Sequence, residues 1–427
     1  MTFHPHDDVV DGTFKGFAPA THGRRLGDLI GENRHLFDGT FSSPLMILRS
    51  AALEHNIATM AAWCAAHGVD LAPHGKTTLA PQLFHRQLKA GAWAITVATP
   101  AQVVLCRSAG LPRVLLANEL LDAAVIRWAL DELARDPAFE LMCYIDSLEG
   151  VRRLEQGIQG SGTGRPLDVL VEVGFAGGRS GCRTLEQAQE VAGAASQVAG
   201  LRVVGVAGYE GLIGHDLTDD VLSRVRGFLG FLHRSAAELA AEGLIVDRGD
   251  GIILSAGGSV FFDEVVAVLG QPLAGGFASR VVLRSGAYVS HDSGLYERLS
   301  PFSRPGNDGR YTLLPALEAW GEVLSTPEDG LAIVGLGRRD VPTDQGLPVP
   351  LAVRRAGGEE VVDARACRVT GLNDQHAYIA VPPEVDVLVG DWLSVGVSHP
   401  CTAFDKWRII PEIDDSDRIV DFVRTWF

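Results

Sequence analysis

A lysine follows the first strand-like segment of the chain, in the sequence VDLAPHGKTT. Alternation along a strand places Asp70, Ala72, His74 and Lys76 on one side, which directs the Lys76 amine inward at the mouth of the fold. Burial lowers the pKa of a lysine and makes it a nucleophile suited to a Schiff base. The alternative is a lysine at a strand end that simply reaches solvent.

A glycine pair lies between a strand-like and a helix-like segment, in SAGGSV followed by FFDEVVAVLG. The backbone N–H groups of Gly257, Gly258 and Ser259, helped by the helix dipole, could form an anion site there. The alternative is a tight turn that uses the glycines only for its geometry.

A histidine and a cysteine lie two residues apart near the C-terminus, in VLVGDWLSVGVSHPCTAFDKW. Leu393, Val395 and Val397 form one apolar face, and the same register places His399 and Cys401 on that face. An imidazole and a thiolate suit Zn²⁺, and two protein ligands leave positions open for water or substrate, as a catalytic zinc requires. The alternative is a buried histidine beside an inert thiol.

Eight strand-like segments, which alternate with helix-like segments, must position these groups. They begin at Val69, Ala94, Arg113, Glu140, Leu167, Leu201, Asp250 and Ser279. Eight such units in about 220 residues predict an α/β fold, a (β/α)8 TIM barrel, whose working groups lie at the C-terminal ends of the strands. The alternative is an open doubly wound sheet, but VDLAPHGKT lacks the G-x-G-x-x-G fingerprint of such folds.

The character of the sequence changes after residue 290, where Gly, Pro and charged residues interrupt short strand-like runs. This pattern predicts an all-β second domain. The predicted domains are an N-terminal extension that packs on the β-domain (1–43), the barrel (44–290) and a C-terminal β-domain that carries the metal ligands (291–427).

Composition excludes several classes of function. The net charge of −16 repels polyanions, so neither nucleic acid nor an acidic membrane is expected as the main partner. The N-terminus, MTFHPHDDVVDG, lacks the basic and apolar stretches of a signal peptide, which predicts a cytoplasmic protein.

The six cysteines form no C-x-x-C pair, so a disulfide scaffold is not indicated. GKTT is not a nucleotide-binding P-loop, because position 70 is Asp where that motif needs Gly.

Several segments follow one another in an order that resembles a known family. They are PHGKTTLAPQL, GAWAITVATP, VEVGFAGGRSGCR, GYEG, SAGGS, RSGAYVSHD and SHPCTAFDKW. Together they resemble the D-serine dehydratase and D-threonine aldolase family, the metal-dependent members of the alanine-racemase-like fold III pyridoxal-phosphate enzymes. The lysine motif together with HPC is specific, whereas the glycine segments alone are not.

The resemblance implies a cofactor site and a metal site. The residues implied to hold pyridoxal 5′-phosphate are Lys76, Arg179, Tyr209, Ser255, Gly257, Gly258, Ser259 and Tyr288. Among these, Lys76 is the catalytic residue that forms the Schiff base, and the 255–259 segment holds the phosphate. Arg179 would approach the cofactor ring or the substrate carboxylate. His399 and Cys401 match the metal pair, which holds zinc or another divalent ion.

Cys401 bears on the type of reaction. Dehydratases of the family resemble this chain in carrying Cys after the proline, whereas the aldolases usually carry Asp, and thiolate favours zinc over Mn²⁺ or Mg²⁺. We therefore predict a zinc-dependent dehydratase that converts a D-3-hydroxy amino acid, such as D-serine, into a 2-oxo acid and ammonia. The alternatives are a D-threonine-type aldolase, which yields glycine and an aldehyde, and a non-catalytic pyridoxal-phosphate carrier.

The resemblance also implies that the protein forms a homodimer. Its expected ligand is a small-molecule D-amino acid substrate. The sequence departs from the family pattern at Ser255 and Ser259, where relatives often have Thr, and at His215, which lies further beyond YEG than the usual histidine. These differences leave the substrate side chain open among D-serine, D-threonine, a 3-hydroxyaspartate isomer and D-glucosaminate.

Overall fold

A computed structural model describes residues 5–159, 164–304 and 307–427. The chain divides into two compact units of interleaved segments. The barrel unit comprises Ala61–Lys76 and Gln87–Gly286, and the sheet unit comprises Met1–Met60, Thr77–Arg86 and Ala287–Phe427.

The strands fall into two sheets. In chain order they are β1 Leu45–Arg49, β2 Asp70–Leu71, β3 Ile95–Val97, β4 Arg113–Glu119, β5 Glu140–Ile145, β6 Leu167–Val173, β7 Leu201–Gly208, β8 Ile252–Ala256, β9 Ser279–Leu283, β10 Leu317–Glu328, β11 Leu331–Val334, β12 Val349–Arg354, β13 Val361–Asp363, β14 Arg368–Leu372, β15 Ala377–Ala380, β16 Trp392–Gly396, β17 Ile409–Ile413 and β18 Ile419–Arg424.

Most of the helices alternate along the chain with strands β2 to β9. They are α1 Leu26–Gly31, α2 Ser50–Ala66, α3 Pro81–Lys89, α4 Pro100–Ser108, α5 Ala123–Arg135, α6 Leu148–Ile158, α7 Leu185–Ser196, α8 Asp219–Ala241, α9 Phe262–Leu269 and α10 Leu295–Leu299. Side-chain oxygens cap several N-termini, as Thr184 does for α7 by accepting a hydrogen bond from the Gln187 N–H. No helix in the described ranges is long and apolar enough to cross a membrane.

The barrel unit contains an eight-stranded parallel sheet in the order β2-β9-β8-β7-β6-β5-β4-β3. Its two edges meet, because the Trp93 N–H donates to the Leu71 carbonyl at 2.7 Å and the Thr96 N–H to the Pro73 carbonyl at 2.9 Å. A parallel bridge between His74 and Thr96 continues this closure. The predicted (β/α)8 barrel is confirmed, and each of the eight predicted strand segments contains one of its strands.

Burial on both faces explains why these strands read as apolar runs. All seven residues of β6 and all five of β8 are buried. Inside the barrel, side chains from different strands pack together, among them Leu115, Met142, Leu170 and Ile253. The interior is therefore a packed core, and ligand chemistry is left to the ends of the strands.

The N-terminal ends of the strands carry ion pairs. Arg248 bridges Glu140 and Asp168, which also pair with Arg113 and Arg202 respectively. All of these charges are satisfied by one another, which is the arrangement expected of a stabilising face. At the opposite, C-terminal ends, His74 Nδ1, Glu119 Oε1 and Glu172 Oε2 are buried without a hydrogen-bond partner among the described residues.

The backbones of β7 and β8 approach closely at Gly205. A Cβ on Gly205 would lie 2.0 Å from the carbonyl oxygen of Ile253, so we expect Gly205→Ala to destabilise the fold by about 3 kcal/mol through overpacking. Gly227 in α8 is the matched control, because no atom lies within 4 Å of its would-be Cβ and alanine favours a helix by about 0.5–1 kcal/mol. Midpoints of thermal unfolding measured side by side should move in opposite directions. An unchanged midpoint for Gly205→Ala would contradict the close approach.

The sheet unit is built on a mostly antiparallel sheet. Its main path runs β13-β12-β16-β10-β1-β17-β18, and β11, β15 and β14 extend it from β10. β1 pairs antiparallel with β10 and parallel with β17. The unit therefore takes up residues 45–49, which the predicted range 44–290 places in the barrel, because this apolar strand finds its partners in the second sheet.

Residues near the N-terminus contribute to the core of the sheet unit. Val10, Phe17, Leu26 and Phe41 are buried there with side chains of β1, β17 and β18. The Lys15 ammonium donates to Asp340 at 3.0 Å and lies 3.6 Å from the centre of the Trp407 ring. The N-terminal segment is thus part of the packed core of this unit.

Candidate functional site

Lys76 lies at the C-terminal end of β2, but not in a strand. β2 ends at Leu71, and Lys76 is the middle residue of a single 3-10 turn, Gly75–Thr77, where it is exposed. The argument from strand alternation, which predicted an inward-facing buried amine, is therefore wrong about the local backbone. The residue remains at the mouth of the barrel, where working groups are expected.

Three cationic groups converge on His74. The Nδ1 atom of this histidine is buried and has no hydrogen-bond partner among the described residues. Burial, followed by the charges of Lys76, Arg284 and Arg179, holds the pKa of His74 well below its usual value. The imidazole is therefore neutral, and the mouth of the barrel carries concentrated positive charge around it.

Arg179 and Tyr209 lie together beside an open cleft. The guanidinium carbon of Arg179 is 4.8 Å from the centre of the Tyr209 ring. Both residues line a small cleft, together with Glu172 and residues 173–175. Tyr209 also approaches Gly258, where a Cβ would lie 3.1 Å from the ring. The structure thus brings Arg179, Tyr209 and Gly258 close together.

The glycine segment differs in detail from its predicted role as an open anion cradle. The N–H groups of Gly257 and Gly258 donate to the two carboxylate oxygens of Glu210, at 3.1 and 2.6 Å. Glu210 is fully buried, so a carboxylate of the protein itself already occupies these two donors. Any phosphate at this segment would therefore rely on other donors, because the chain satisfies these N–H groups internally.

Ser255 anchors an arginine. Its hydroxyl donates to the Val282 carbonyl and accepts a 2.7 Å hydrogen bond from Arg284, which also donates to the Gly208 carbonyl. Both side chains are buried, so Ser255 positions Arg284 rather than offering a free hydroxyl. Ser259 follows the glycines before α9 and is half-buried. Tyr288 is buried in a 3-10 turn, Ala287–Val289, of the sheet unit.

The residues at the barrel mouth fit an anionic cofactor. Lys76, Arg179 and Arg284 supply positive charge around a buried ring nitrogen that lacks a partner in the part of the chain that the structure describes. Pyridoxal phosphate carries a phosphate and a phenolate, which are the charges such an environment stabilises. Lys76 is the group at this mouth that can form a covalent bond to its aldehyde.

Three carboxylates gather at the ends of the adjacent strands β4, β5 and β6. One oxygen each of Glu119, Asp146 and Glu172 lies within 4.8 Å of the others. Burial raises the pKa of Glu119 to about 8, and the negative charge of Glu172 and a hydrogen bond with Glu172 act in the same direction. The Glu119 carboxyl is therefore protonated near neutral pH, which relieves repulsion within the cluster.

This raised pKa predicts how stability depends on pH. Between about pH 4.5 and 8 the folded protein holds a proton on Glu119 that the unfolded chain releases, so the contribution of this group to stability falls as the pH rises. We expect Glu119→Gln to match the wild type in its thermal midpoint below pH 5 and to exceed it increasingly towards pH 8. Glu190→Gln, on an exposed part of α7, is the control. If the difference in thermal midpoint between Glu119→Gln and the wild type does not change with pH, Glu119 does not hold this proton in the folded protein.

His399 and Cys401 lie on a turn after β16 in the sheet unit. His399 Nδ1 is 2.6 Å from Asp344 Oδ2. Burial works against the charged imidazole, but a hydrogen bond with Cys401 and the charges of Cys401 and Asp344 raise the pKa of His399 to about 9. Thr402 donates a 2.7 Å hydrogen bond to Oδ1 of Asp344. The predicted metal pair is thus close together and is supported by an aspartate.

Cys401 differs from the other cysteines in exposure. It is partly exposed, whereas the other five are buried, and burial raises the pKa of Cys64, Cys106 and Cys182 to about 12. Its Sγ lies 3.3 Å from the Thr77 hydroxyl, and Thr77 directly follows Lys76 in the chain. An accessible thiol beside an imidazole is a donor set that fits zinc.

Sequence reasoning missed the residues that support the predicted ones. Asp344 lies 55 positions before His399, and nothing in RRDVPTDQGLPVP marks it as a partner. Glu210 lies within the GYEG segment, but its position next to Tyr209 does not reveal that it accepts from the glycine pair. Such partners depend on which loops meet, which local spacing does not show.

Two protein-family models match the chain. "Alanine racemase, N-terminal domain" matches residues 48–241, and "Putative serine dehydratase domain" matches residues 316–413. A D-threonine aldolase of an Arthrobacter species is 25% identical over 346 residues, which are 80% of each chain. A 3-hydroxy-D-aspartate aldolase of Paracoccus denitrificans is 26% identical over 317 residues, covering 73% of this chain and 76% of that protein.

Solved structures show the same architecture. The D-threonine aldolase of Filomicrobium marinum has a TM-score of 0.74 at 24% identity, over 90% of this chain and 95% of that one. The D-threo-3-hydroxyaspartate dehydratase of Delftia sp. HT23 has a TM-score of 0.70 at 21% identity, over 91% and 98%.

The fold and these comparisons define a lyase of the pyridoxal-phosphate-dependent type, with an alanine-racemase-like barrel. The resemblance predicted from the motifs is confirmed: the chain is similar to a D-threonine aldolase and to 3-hydroxy-D-aspartate aldolases over most of its length, and a serine dehydratase model matches residues 316–413.

Proposed function

We propose that this protein is a pyridoxal-phosphate- and zinc-dependent dehydratase that releases ammonia and a 2-oxo acid from a D-3-hydroxy amino acid. The observation that carries the proposal is the pair of His399 and Cys401. The thiol is accessible, hydrogen-bonded to the imidazole and next to Thr77, the neighbour of Lys76 in the chain.

Residues at the barrel mouth would hold the cofactor. Lys76 would bind it covalently, and the positive charge of Arg179 and Arg284 would balance its anionic groups. Tyr209 would contact the ring, since its own ring lies under Arg179 and beside the glycine segment. Ser259 and Tyr288 remain proposed phosphate contacts, whereas Ser255, Gly257 and Gly258 would act by shaping the segment. Pyridoxal phosphate, when bound, supplies an electron sink for a carbanion at the substrate Cα.

The protein's own groups would then move the proton and orient the substrate. The Lys76 amine would take the proton from Cα, because it is exposed at the mouth and can reach a bound substrate. The Arg179 guanidinium, at the edge of the cleft, would bind the substrate carboxylate. The neutral imidazole of His74, whose Nδ1 is buried, would add no charge beside these two cations.

His399 and Cys401 would hold the metal. Zinc supplies a Lewis acid that stabilises negative charge on a departing hydroxide. Solved structures of D-threo-3-hydroxyaspartate dehydratase include a histidine-to-alanine variant and a cysteine-to-alanine variant in the metal-free form, and the two replaced residues are two positions apart. His399 and Cys401 are the same two residue types at the same spacing, and the cysteine, where the aldolases usually carry Asp, supports elimination over carbon–carbon cleavage here.

An aldolase is the second candidate. The curated relatives with 25–27% identity are aldolases that act on D-threonine or 3-hydroxy-D-aspartate. The same D-3-hydroxy amino acid would then lose its side chain as an aldehyde and leave glycine. The non-catalytic carrier is disfavoured, because the chain has a full β-sheet unit matched by the dehydratase model.

Product analysis distinguishes the two reactions. The holoenzyme should release equal amounts of ammonia and a 2-oxo acid from one member of a panel of D-serine, D-threonine, D-3-hydroxyaspartate isomers and D-glucosaminate. The L-enantiomers are the controls. Glycine and an aldehyde in place of ammonia would overturn the dehydratase and support the aldolase.

Other predictions from the sequence stay as proposals. We expect a cytoplasmic homodimer, and the three-part division at residues 43 and 290 remains a proposal beside the two compact units. The net charge of −16 supports a small-molecule rather than a nucleic-acid partner.

A further inference from the structure

Asp344 lies in the loop between β11 and β12, and both of its carboxylate oxygens contact the turn that carries the metal pair. Oδ2 lies 2.6 Å from His399 Nδ1, and Oδ1 accepts a 2.7 Å hydrogen bond from the Thr402 hydroxyl. Thr402 Oγ1 is also 3.4 Å from His399 Nδ1. The carboxylate therefore spans the residues on either side of Cys401.

We infer that Asp344 is a positioning residue for the metal centre: it fixes the orientation and tautomer of His399 and, through Thr402, the turn that presents Cys401. The inference rests on the proposed function, because it concerns the metal that His399 and Cys401 would hold. It goes beyond that function by adding a residue that binds no metal and yet determines how tightly metal is bound.

The tautomer follows from the hydrogen bond. Asp344 is an acceptor only, so the Nδ1–H of His399 donates to it, and Nε2 is the nitrogen that can bind a metal ion once the ion displaces its proton. A negative charge behind the ring also makes Nε2 a stronger ligand. Without Asp344, the imidazole would divide its population between tautomers and rotamers, and only some of these could bind metal.

Thr402 extends the effect to the cysteine. His399, Cys401 and Thr402 lie on one turn, Pro400–Thr402 with His399 as its N-terminal cap. Because one carboxylate holds both ends of this turn, the separation of the imidazole and the thiol is fixed before metal arrives. Pre-ordered ligands lose less conformational entropy on binding, which increases affinity.

The backbone around Asp344 is held by other contacts. The Ser398 hydroxyl donates to the Gly346 carbonyl at 2.7 Å. Gly294 packs on the same strand end, where a Cβ would lie 2.7 Å from the Ser398 Cα. Trp407 Nε1 donates to the Asp340 carbonyl at the start of the loop. None of these contacts involves the Asp344 carboxylate, so removing the carboxylate should leave the fold intact.

The test is the zinc affinity of the holoenzyme, measured by competition with a chromophoric chelator. We expect Asp344→Ala to weaken zinc binding by about 10- to 100-fold, the usual effect of losing such a partner of a metal ligand. Asp344→Asn should weaken it less, because the amide oxygen can still accept from Nδ1–H, and Thr402→Val should have the smallest effect. Asp415→Asn, at an exposed position of the same unit, is the matched control.

Cofactor absorbance and turnover show whether Asp344 positions the metal ligands or only supports the fold. The visible absorbance of bound pyridoxal phosphate should be unchanged in all variants, and ammonia release by Asp344→Ala should recover towards the wild-type rate at saturating zinc. Zinc affinity equal to wild type in folded Asp344→Ala would overturn the inference. A wild-type protein that binds no zinc would instead overturn the metal part of the proposed function, so the two failures are distinguishable.

Discussion

Cys401→Ala is expected to abolish ammonia release while the pyridoxal-phosphate absorbance remains. The thiol is the softest donor of the proposed metal pair, and its removal leaves His399 with too few protein ligands to retain zinc. A Lewis acid stabilises charge on a leaving oxygen by several kcal/mol, so we expect turnover to fall about a thousandfold, or about 4 kcal/mol in the barrier. Steady-state ammonia release at saturating substrate measures this loss.

Two further variants sharpen the Cys401 result. Cys367→Ala removes a buried thiol from the same unit and should keep full turnover. Cys401→Asp keeps a ligand but replaces sulfur by oxygen, so the metal that restores most activity should shift from zinc towards Mn²⁺ or Mg²⁺. Normal activity in zinc-free Cys401→Ala would show that the elimination needs no metal at this pair.

Lys76→Ala is expected to lose both the cofactor absorbance and turnover. The covalent attachment disappears with the amine, and the proposed base for the Cα proton disappears with it. General base catalysis alone contributes about 10²–10⁴-fold, so turnover should fall by at least about a thousandfold. The absorbance spectrum after reconstitution with pyridoxal phosphate, followed by an activity assay, measures both losses.

Reduction with borohydride identifies the modified lysine directly. In the wild type, peptide mapping after reduction should find the phosphopyridoxyl group on Lys76. Lys89→Ala, an exposed lysine at the end of α3, should retain absorbance and turnover. A phosphopyridoxyl group on another lysine, or full activity in Lys76→Ala, would contradict the assignment.

The barrel could be predicted from sequence because its signal is local. Each buried parallel strand is a short apolar run, and the eight runs recur with helix-like segments between them. β1 was missed as a strand of the second sheet, since LMILR is an equally apolar run and its pairing with β10 and β17 depends on segments about 270 and 360 residues away.

The candidate site could be predicted as a set of residues but not in its contacts. Motif order indicated Lys76, Arg179 and Tyr209, yet the inward direction assigned to Lys76 assumed a strand that ends five residues earlier. The glycine pair was correctly seen as an array of N–H donors, but these donate to Glu210. Such pairings follow from tertiary structure, which residue spacing does not contain.

The most direct test of the central claim, zinc-assisted elimination from a D-3-hydroxy amino acid, is ammonia release by the pyridoxal-phosphate holoenzyme in three states. These are the protein as purified, the same protein after a chelator, and the chelated protein after zinc is added back. We predict that the chelator abolishes release of ammonia and 2-oxo acid, and that zinc restores both. Ammonia release that survives complete removal of metal would contradict the account.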